Sequence, residues 1–588
     1  MKAHKFFWLL LVLLACNEKQ PIYLNPDTQV SERVEDLLAR MTLAEKIGQM
    51  VQVNYTSIDS VHELATMNIG SFLAIPGNLK QSNSPEIYAD LYDSLQKVAL
   101  DNRLGIPILG GIDAVHGHNN VKGTVIFPHN IGLGSIQDKR LIEDAAKITA
   151  IETAATGFDW TFAPCIAVSQ NERWGRTYES FSEKTELVSE LGVLAIKGFQ
   201  QEDLALPTSI LACAKHYLGD GGTVDGKDRG DVKIDEDSLR SVHLPPYKAA
   251  VDAGVSSVMV SFSKWNGIKS IQQKYLLTNI LKDELGFDGI VITDYGDVKN
   301  ISRDNYDYSV EASINAGVDM AMMPQRYELF INTLIKLVKQ NRVSEERIDD
   351  AVRRVLTKKF ELGLFENPYA KRELLPSVGS PEHRAIARNC VSQSLVLLKN
   401  ENNILPLSTD IESISLGGRR ANDLGGQCGG WSIQWAGGKG QITEGTTVLQ
   451  ALEKDFPDVQ VIENGEVGLV VIGEKPYAEI QGDRDDLHLD EEDVKAVKDM
   501  KAKGIPVVVI LFSGRPMILD DILYDADAIV AAWLPGTEGQ GITDVLFGKV
   551  KPTGKLSFSW PTSMDQIPIN LGDTPYEPLY PFGYGLTY

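Results

Sequence analysis

The sequence predicts an α/β protein in two parts, a (β/α)8-type, TIM-like barrel followed by a doubly wound α/β sandwich domain. Three observations carry this. Eight short apolar runs recur through the first two-thirds of the chain, several ending in a polar or charged residue. Segments of helical character lie between most of them, the signature of βαβ units and a mostly parallel sheet. A Pro-containing break near residue 367 then precedes a second series of apolar runs.

The eight runs are Ile47–Val53, Ile69–Ile75, Ile106–Asp113, Trp160–Ile166, Ile210–Tyr217, Ser256–Ser263, Gly289–Tyr295 and Val318–Met323. Helical stretches Lys139–Thr156, Ser182–Gln200, Ser238–Asp252 and Gln273–Leu285 separate later pairs. The gap between the first two runs is too short for a full crossover helix, so an irregular barrel start is expected. Ser344–Leu362 reads as a last helix stopped at Gly363. The barrel thus covers residues 25–366, residues 367–382 read as a linker, and residues 383–588 form the second domain. Its expected strands are Ile414–Gly417, Val467–Gly473, Ile505–Phe512, Ala528–Trp533 and Lys555–Trp560, an open sheet with helices on both faces. The Gly-rich stretch Leu416–Gly440 lacks GxGxxG and GxxxxGK[ST], which speaks against nucleotide binding.

Residues 1–16 read as an address rather than as fold. Lys2 and Lys5 precede the apolar run Phe6–Leu14, too short to span a bilayer and suited to a signal-peptide core. The sequence Leu13-Leu14-Ala15-Cys16 resembles the lipobox of bacterial lipoproteins, which implies lipidation at Cys16 and an exported lipoprotein, periplasmic or at the cell surface. A lipid anchor is then the only membrane contact expected.

Composition narrows the partners. Of 588 residues, 43% are hydrophobic and 23% charged, ordinary for a folded enzyme. Lys and Arg total 57 against 80 Asp and Glu, a formal net charge of −23. So acidic a chain gains nothing from a phosphate backbone, which excludes nucleic acid as a partner. Cys165, Cys213, Cys390 and Cys428 show no CxxC pair and read as buried free thiols. His116, His118 and His129 follow no metal-ligand spacing, so no metal and no cofactor is expected. Sequence assigns no oligomeric state.

Chemistry gathers at the ends of the barrel runs, where the active sites of such barrels lie. GIVIT ends at Asp294, followed by Tyr295; IPILGGI ends at Asp113; ILACA leads into Lys215-His216; past WTFAP come Glu172, Arg173, Arg176 and Tyr178-Glu179. Carboxylates, cations and aromatic faces on one rim are what a carbohydrate site needs, to hold hydroxyls and to stack on sugar rings.

These segments carry a family resemblance. RVEDLLARMTLAEKIGQM (33–50), GIDAVHGHNN (111–120), FPHNIGLG (127–134), NERWGRTYESFSE (171–183), AKHYLGDGGT (214–223) and VITDYGD (291–297) resemble family 3 glycoside hydrolases. SLVLLKNENNILPL (394–407), QCGGWSIQW (427–435), GEKPYAEIQGD (473–483) and PLYPFGYGLTY (578–588) continue it in order. The resemblance is nearest to two-domain β-glucosidases and plant-type β-glucan exohydrolases. It implies that Asp294 is the nucleophile and that Asp113, Arg176, Lys215 and His216 hold the non-reducing sugar in subsite −1. Glu479 matches the acid/base of plant-type members, Trp431 and Trp435 match aromatics of the next subsite, and Tyr295, directly after the nucleophile, is expected to bind substrate. The implied substrate is a β-glucoside or β-glucan oligosaccharide, hydrolysed with retention.

Physical chemistry adds expectations. Lys215 and Arg176 are expected to keep Asp294 ionised. Glu479 has to hold a proton near neutrality, which a closed interdomain crevice would favour. Departures from the plant-type pattern are Phe262 for a tyrosine, Tyr295 for a tryptophan, Asp228-Arg229 for an Asn-Glu pair and Asn300 for an arginine of subsite +1. They leave the −1 set intact and open the linkage preference. A β-xylosidase of the same family and an inactive lipid-anchored glycan-binding protein are the alternatives. An N-acetylglucosaminidase is disfavoured, because the loop after Lys215-His216 lacks that subgroup's His-Asp dyad.

Overall fold

The computed structural model describes residues 20–75, 83–408 and 410–588. Cys16 and the apolar run before it lie outside the described residues. No helix among those described is long and apolar enough to cross a membrane.

Each of the eight apolar runs supplies one barrel strand: β1 Val51–Asn54, β2 Ser71–Ala74, β3 Leu109–Ile112, β4 Trp160–Thr161, β5 Cys213–Tyr217, β6 Ser257–Val260, β7 Ile290–Ile292 and β8 Ala321–Met323. Pairing runs parallel in the order β8-β1-β2-β3-β4 and β5-β6-β7. Parallel bridges Trp160–Leu211 and Ile292–Met320 join the two sets into a ring. Nearly every strand residue is buried, because helices cover the outside and side chains fill the inside. Leu109, Trp160, Leu211, Cys213, Ile290 and Met320 belong to that inner core. Trp160 also donates its indole N–H to Ser257 Oγ at 2.8 Å, tying β4 to β6. Between β1 and β2 stand only a 3-10 turn, Tyr55–Ser57, and the one-turn helix Glu63–Thr66, the irregular start that the short gap implied.

The second sheet has six strands: β9 Val396–Asn400, β10 Ser413–Gly417, β11 Gln460–Val461, β12 Val467–Gly473, β13 Val507–Phe512 and β14 Ala528–Trp533, ordered β9-β14-β13-β12-β10-β11. All pairs are parallel except β9 with β14. The expected strand Lys555–Trp560 does not form. That segment docks instead on the barrel side, where Ser557 O accepts from Ser182 Oγ at 2.8 Å and Ser559 binds Glu183. The edge place is taken by β9, part of a segment read only as a motif. Residues 367–382 are not slack, since Arg372 binds Asp90 and Asp93. Helix Pro381–Ser394 packs on the barrel helix Arg140–Ala155, with His383 Nδ1 2.8 Å from Glu152. Cys165, Cys213, Cys390 and Cys428 are buried and free.

Candidate active site

At the C-terminal ends of the barrel strands lies a cavity of about 450 Å³, a size suited to a small-molecule ligand. Asp113, Arg176, Lys215, His216, Asp294, Tyr295, Trp431, Trp435 and Glu479 all line it, with Leu73, Phe162, Met259 and Met322 as its apolar floor. Barrel and second domain therefore share one cleft.

The strand ends position the first set. Asp113 follows β3, and its backbone carbonyl accepts from Asn119 and Asn120 at 3.0 and 2.8 Å. Its carboxylate lies 3.3 Å from Lys215 Nζ on β5. Burial works against the charge of Lys215, but Asp113 overcomes it and raises the ammonium above its ordinary pKa. His216 places Nδ1 2.9 Å from Asp220 and Nε2 3.7 Å from Asp294. Burial, then Arg176 and Lys215, push the imidazole well below its usual value, so these are contacts of a neutral ring rather than ion pairs. Arg176 binds Glu179 through two parallel bonds of 2.9 and 2.8 Å, the strong bidentate form.

Asp294 follows β7 and accepts from the Tyr295 backbone N–H at 2.6 Å. Here the charge expectation fails. Burial, and after it the neighbouring Glu479, raise the Asp294 carboxyl to about 7. Arg176 and Lys215 do lower it, but by less than burial and Glu479 raise it, and each cation also serves another carboxylate, Lys215 that of Asp113 and Arg176 that of Glu179.

Glu479 comes from the turn after β12 and has a left-handed φ of +51°. Its Oε2 accepts from Arg229 Nη2, and Oε1 is 3.5 Å from Arg176 Nη1. The turn is buttressed by Glu474, which accepts from Tyr477 Oη and the Gly514 N–H at 2.9 and 3.0 Å and lines no part of the cleft.

The two tryptophans differ. Trp431 is only 5% exposed and donates its indole N–H to Glu179 Oε1 at 3.1 Å, with Lys215 Nζ 5.5 Å from its ring centre. It is a wall beside Lys215 and Glu179 rather than an open face. Trp435 is half-buried and presents the accessible ring.

Barrel histidines explain how this loop is held. His116 and His129 stack with centroids 3.5 Å apart, and His129 Nε2 is 3.0 Å from Gly430 O. Asn119 donates to Trp431 O and accepts from the Ile433 N–H through its own carbonyl, at 2.5 and 2.8 Å. Burial lowers His116 to about 4 and His118 to about 3, leaving both neutral. Among the described residues, no group of three or more His, Cys, Asp or Glu is arranged to hold a metal ion.

Reading the sequence assigned no site role to Glu179, Asp220 or Arg229, although it named the first and the last. The first two had a usable signal, standing three residues after Arg176 and four after His216.

Comparison with known proteins places these features. A family model described as "Glycosyl hydrolase family 3 N terminal domain" matches residues 42–358, and its C-terminal counterpart matches residues 395–588. The chain is 32% identical to a lysosomal beta glucosidase of Dictyostelium discoideum, over 94% of this chain and 76% of that protein. It is 31% identical to a periplasmic beta-glucosidase of Salmonella typhimurium, over 94% and 80%. The crystal structure of an exo-1,3/1,4-beta-glucanase from a Pseudoalteromonas species superposes with a TM-score of 0.91 at 38% identity, covering 97% of this chain and 75% of that one.

Proposed function

The chain belongs to glycosyl hydrolase family 3, and from that premise we propose that it is a retaining exo-β-glucosidase, releasing terminal non-reducing β-D-glucosyl residues from oligosaccharides or β-glucans. The observation that carries this reading is that Asp294 of the barrel and Glu479 of the second domain line one cleft with Asp113, Arg176, Lys215 and His216. The names of the Dictyostelium and Salmonella relatives, both beta-glucosidases, support the sugar.

In the proposed mechanism Asp294 attacks the anomeric carbon while Glu479 gives its proton to the departing oxygen. Glu479 then takes a proton from the water that hydrolyses the glycosyl-enzyme. Asp113, Lys215 and His216 hold the hydroxyls of the −1 sugar, and Trp435 with Tyr295 faces the next unit. Two carboxyls in a buried cleft do not both ionise readily. The first step needs the proton on Glu479, and positive charge developing at the sugar favours the ionised form of Asp294.

Incubation with a 2-deoxy-2-fluoro-β-glucosyl fluoride tests the assignment. The expected result is one added glycosyl mass on the peptide holding Asp294. No label, or a label on another carboxylate, overturns it. The matching xyloside, run in parallel, decides between glucosidase and xylosidase.

The proposal extends to location. The basic start, short apolar run and Cys16 support an exported lipoprotein, periplasmic or at the cell surface, and the word periplasmic in the Salmonella relative's name agrees with export.

A further inference from the structure

We propose that Arg229 is a positioning residue for Glu479, fixing from the barrel side which of its two oxygens faces the scissile bond. The proposal rests on the reading of Glu479 as acid/base.

The geometry separates those two oxygens. Oε2 is occupied by Arg229 Nη2. Oε1 is 3.5 Å from Arg176, whose Nε and Nη2 already bind Glu179. Oε1 is thus the less engaged atom, on the Arg176 side and toward the −1 sugar.

Arg229 is itself aimed. Its guanidinium carbon lies 4.3 Å from the centre of the Phe262 ring, a cation–π seat. Its backbone has a φ of +60°, uncommon for a residue with a side chain. The carboxylate of Asp483 accepts from the Asp228 N–H and the Gly175 N–H, both at 2.9 Å, so it ties the Arg229 loop and the Arg176 segment to the Glu479 turn. Both ends of the Arg229–Glu479 pair are therefore held by the same bridge. An ordinary exposed ion pair contributes little. This one, 37% exposed on the arginine side, ends on a group that has to transfer a proton in a defined direction.

The test uses two leaving groups. Arg229→Met should lower kcat/KM on a β-linked glucose disaccharide roughly 10–100-fold, and on dinitrophenyl β-glucoside less than about threefold, because only the poor leaving group needs a well-aimed proton. Arg229→Lys should recover part of the loss. In a Glu479→Gln background, Arg229→Met should add no further loss on the disaccharide. Phe262→Leu leaves every charge in place and should give the same leaving-group dependence at smaller size. Its absence overturns the proposal even if the Met variant fails to fold. Equal losses on both substrates, with Glu479→Gln still leaving-group dependent, overturn the role of Arg229 alone. A Glu479→Gln variant without leaving-group dependence overturns the acid/base reading, and this proposal with it.

Discussion

Lys215 Nζ lies 3.3 Å from Asp113 Oδ1, so a cation that lowers the Asp294 carboxyl is shared with a second carboxylate. Burial, and after it Glu479, raise the Asp294 carboxyl to about 7 against the lowering pull of Arg176 and Lys215. The acid limb of kcat/KM, which reports the free enzyme, should therefore fall near pH 7. Asp113→Asn removes one negative charge and leaves Lys215 uncompensated, so that limb should move to lower pH even as activity drops. A pH profile with an activated aryl glucoside checks it; an unmoved or raised limb refutes the coupling.

The same carboxyl affects stability. Its pKa is raised from 3.8 to about 7, so folding disfavours the charged form. Stability is then lost as pH climbs from about 4 to 7, the opposite of a salt-bridged aspartate. Asp294→Asn should unfold later than the parent at pH 8, by roughly 2–4 kcal/mol, and match it at pH 4. Calorimetry at both pH values measures the difference.

The two tryptophans should fail differently. Trp431→Phe keeps a ring but removes the donor to Glu179, so it should lower kcat through Arg176 and leave KM nearly unchanged. Trp435→Ala should raise KM for disaccharides about 3–10-fold, the usual scale of a stacking face, with less effect on kcat. Steady-state kinetics on one disaccharide separates them.

Asp483→Ala removes acceptors of the Gly175 and Asp228 amides. Leaving such donors unpaired costs about 1–3 kcal/mol. Hydrogen exchange should quicken in segments 171–176 and 223–230, with helix Pro381–Ser394 unaffected.

If Cys16 is lipidated, Cys16→Ser should move the protein from the membrane fraction to the soluble one with activity unchanged. Equal solubility of both forms counts against the anchor.

The barrel was legible because parallel strands covered on both faces read as unbroken apolar runs. Lys555–Trp560 was misread on a different cue, an alternation that suits any half-buried extended segment, and β9, whose antiparallel partner lies about 130 residues away, was passed over. Site residues were legible where a motif or strand end marked them. Their partners were not, because spacing does not say which neighbouring carboxylate turns inward. The charge on Asp294 was misjudged for a related reason: sequence counts nearby cations but does not show the burial and the facing Glu479 that outweigh them.

The Trp431 loop hangs from barrel groups Asn119 and His129, while its chain belongs to the second half. For anyone recombining relatives, the crossover point is thereby constrained. A chimera that takes its first 394 residues from one parent and the remainder from another inherits a lock and key from different makers. Such a hybrid should work only when residues 116–130 and 430–435 travel together.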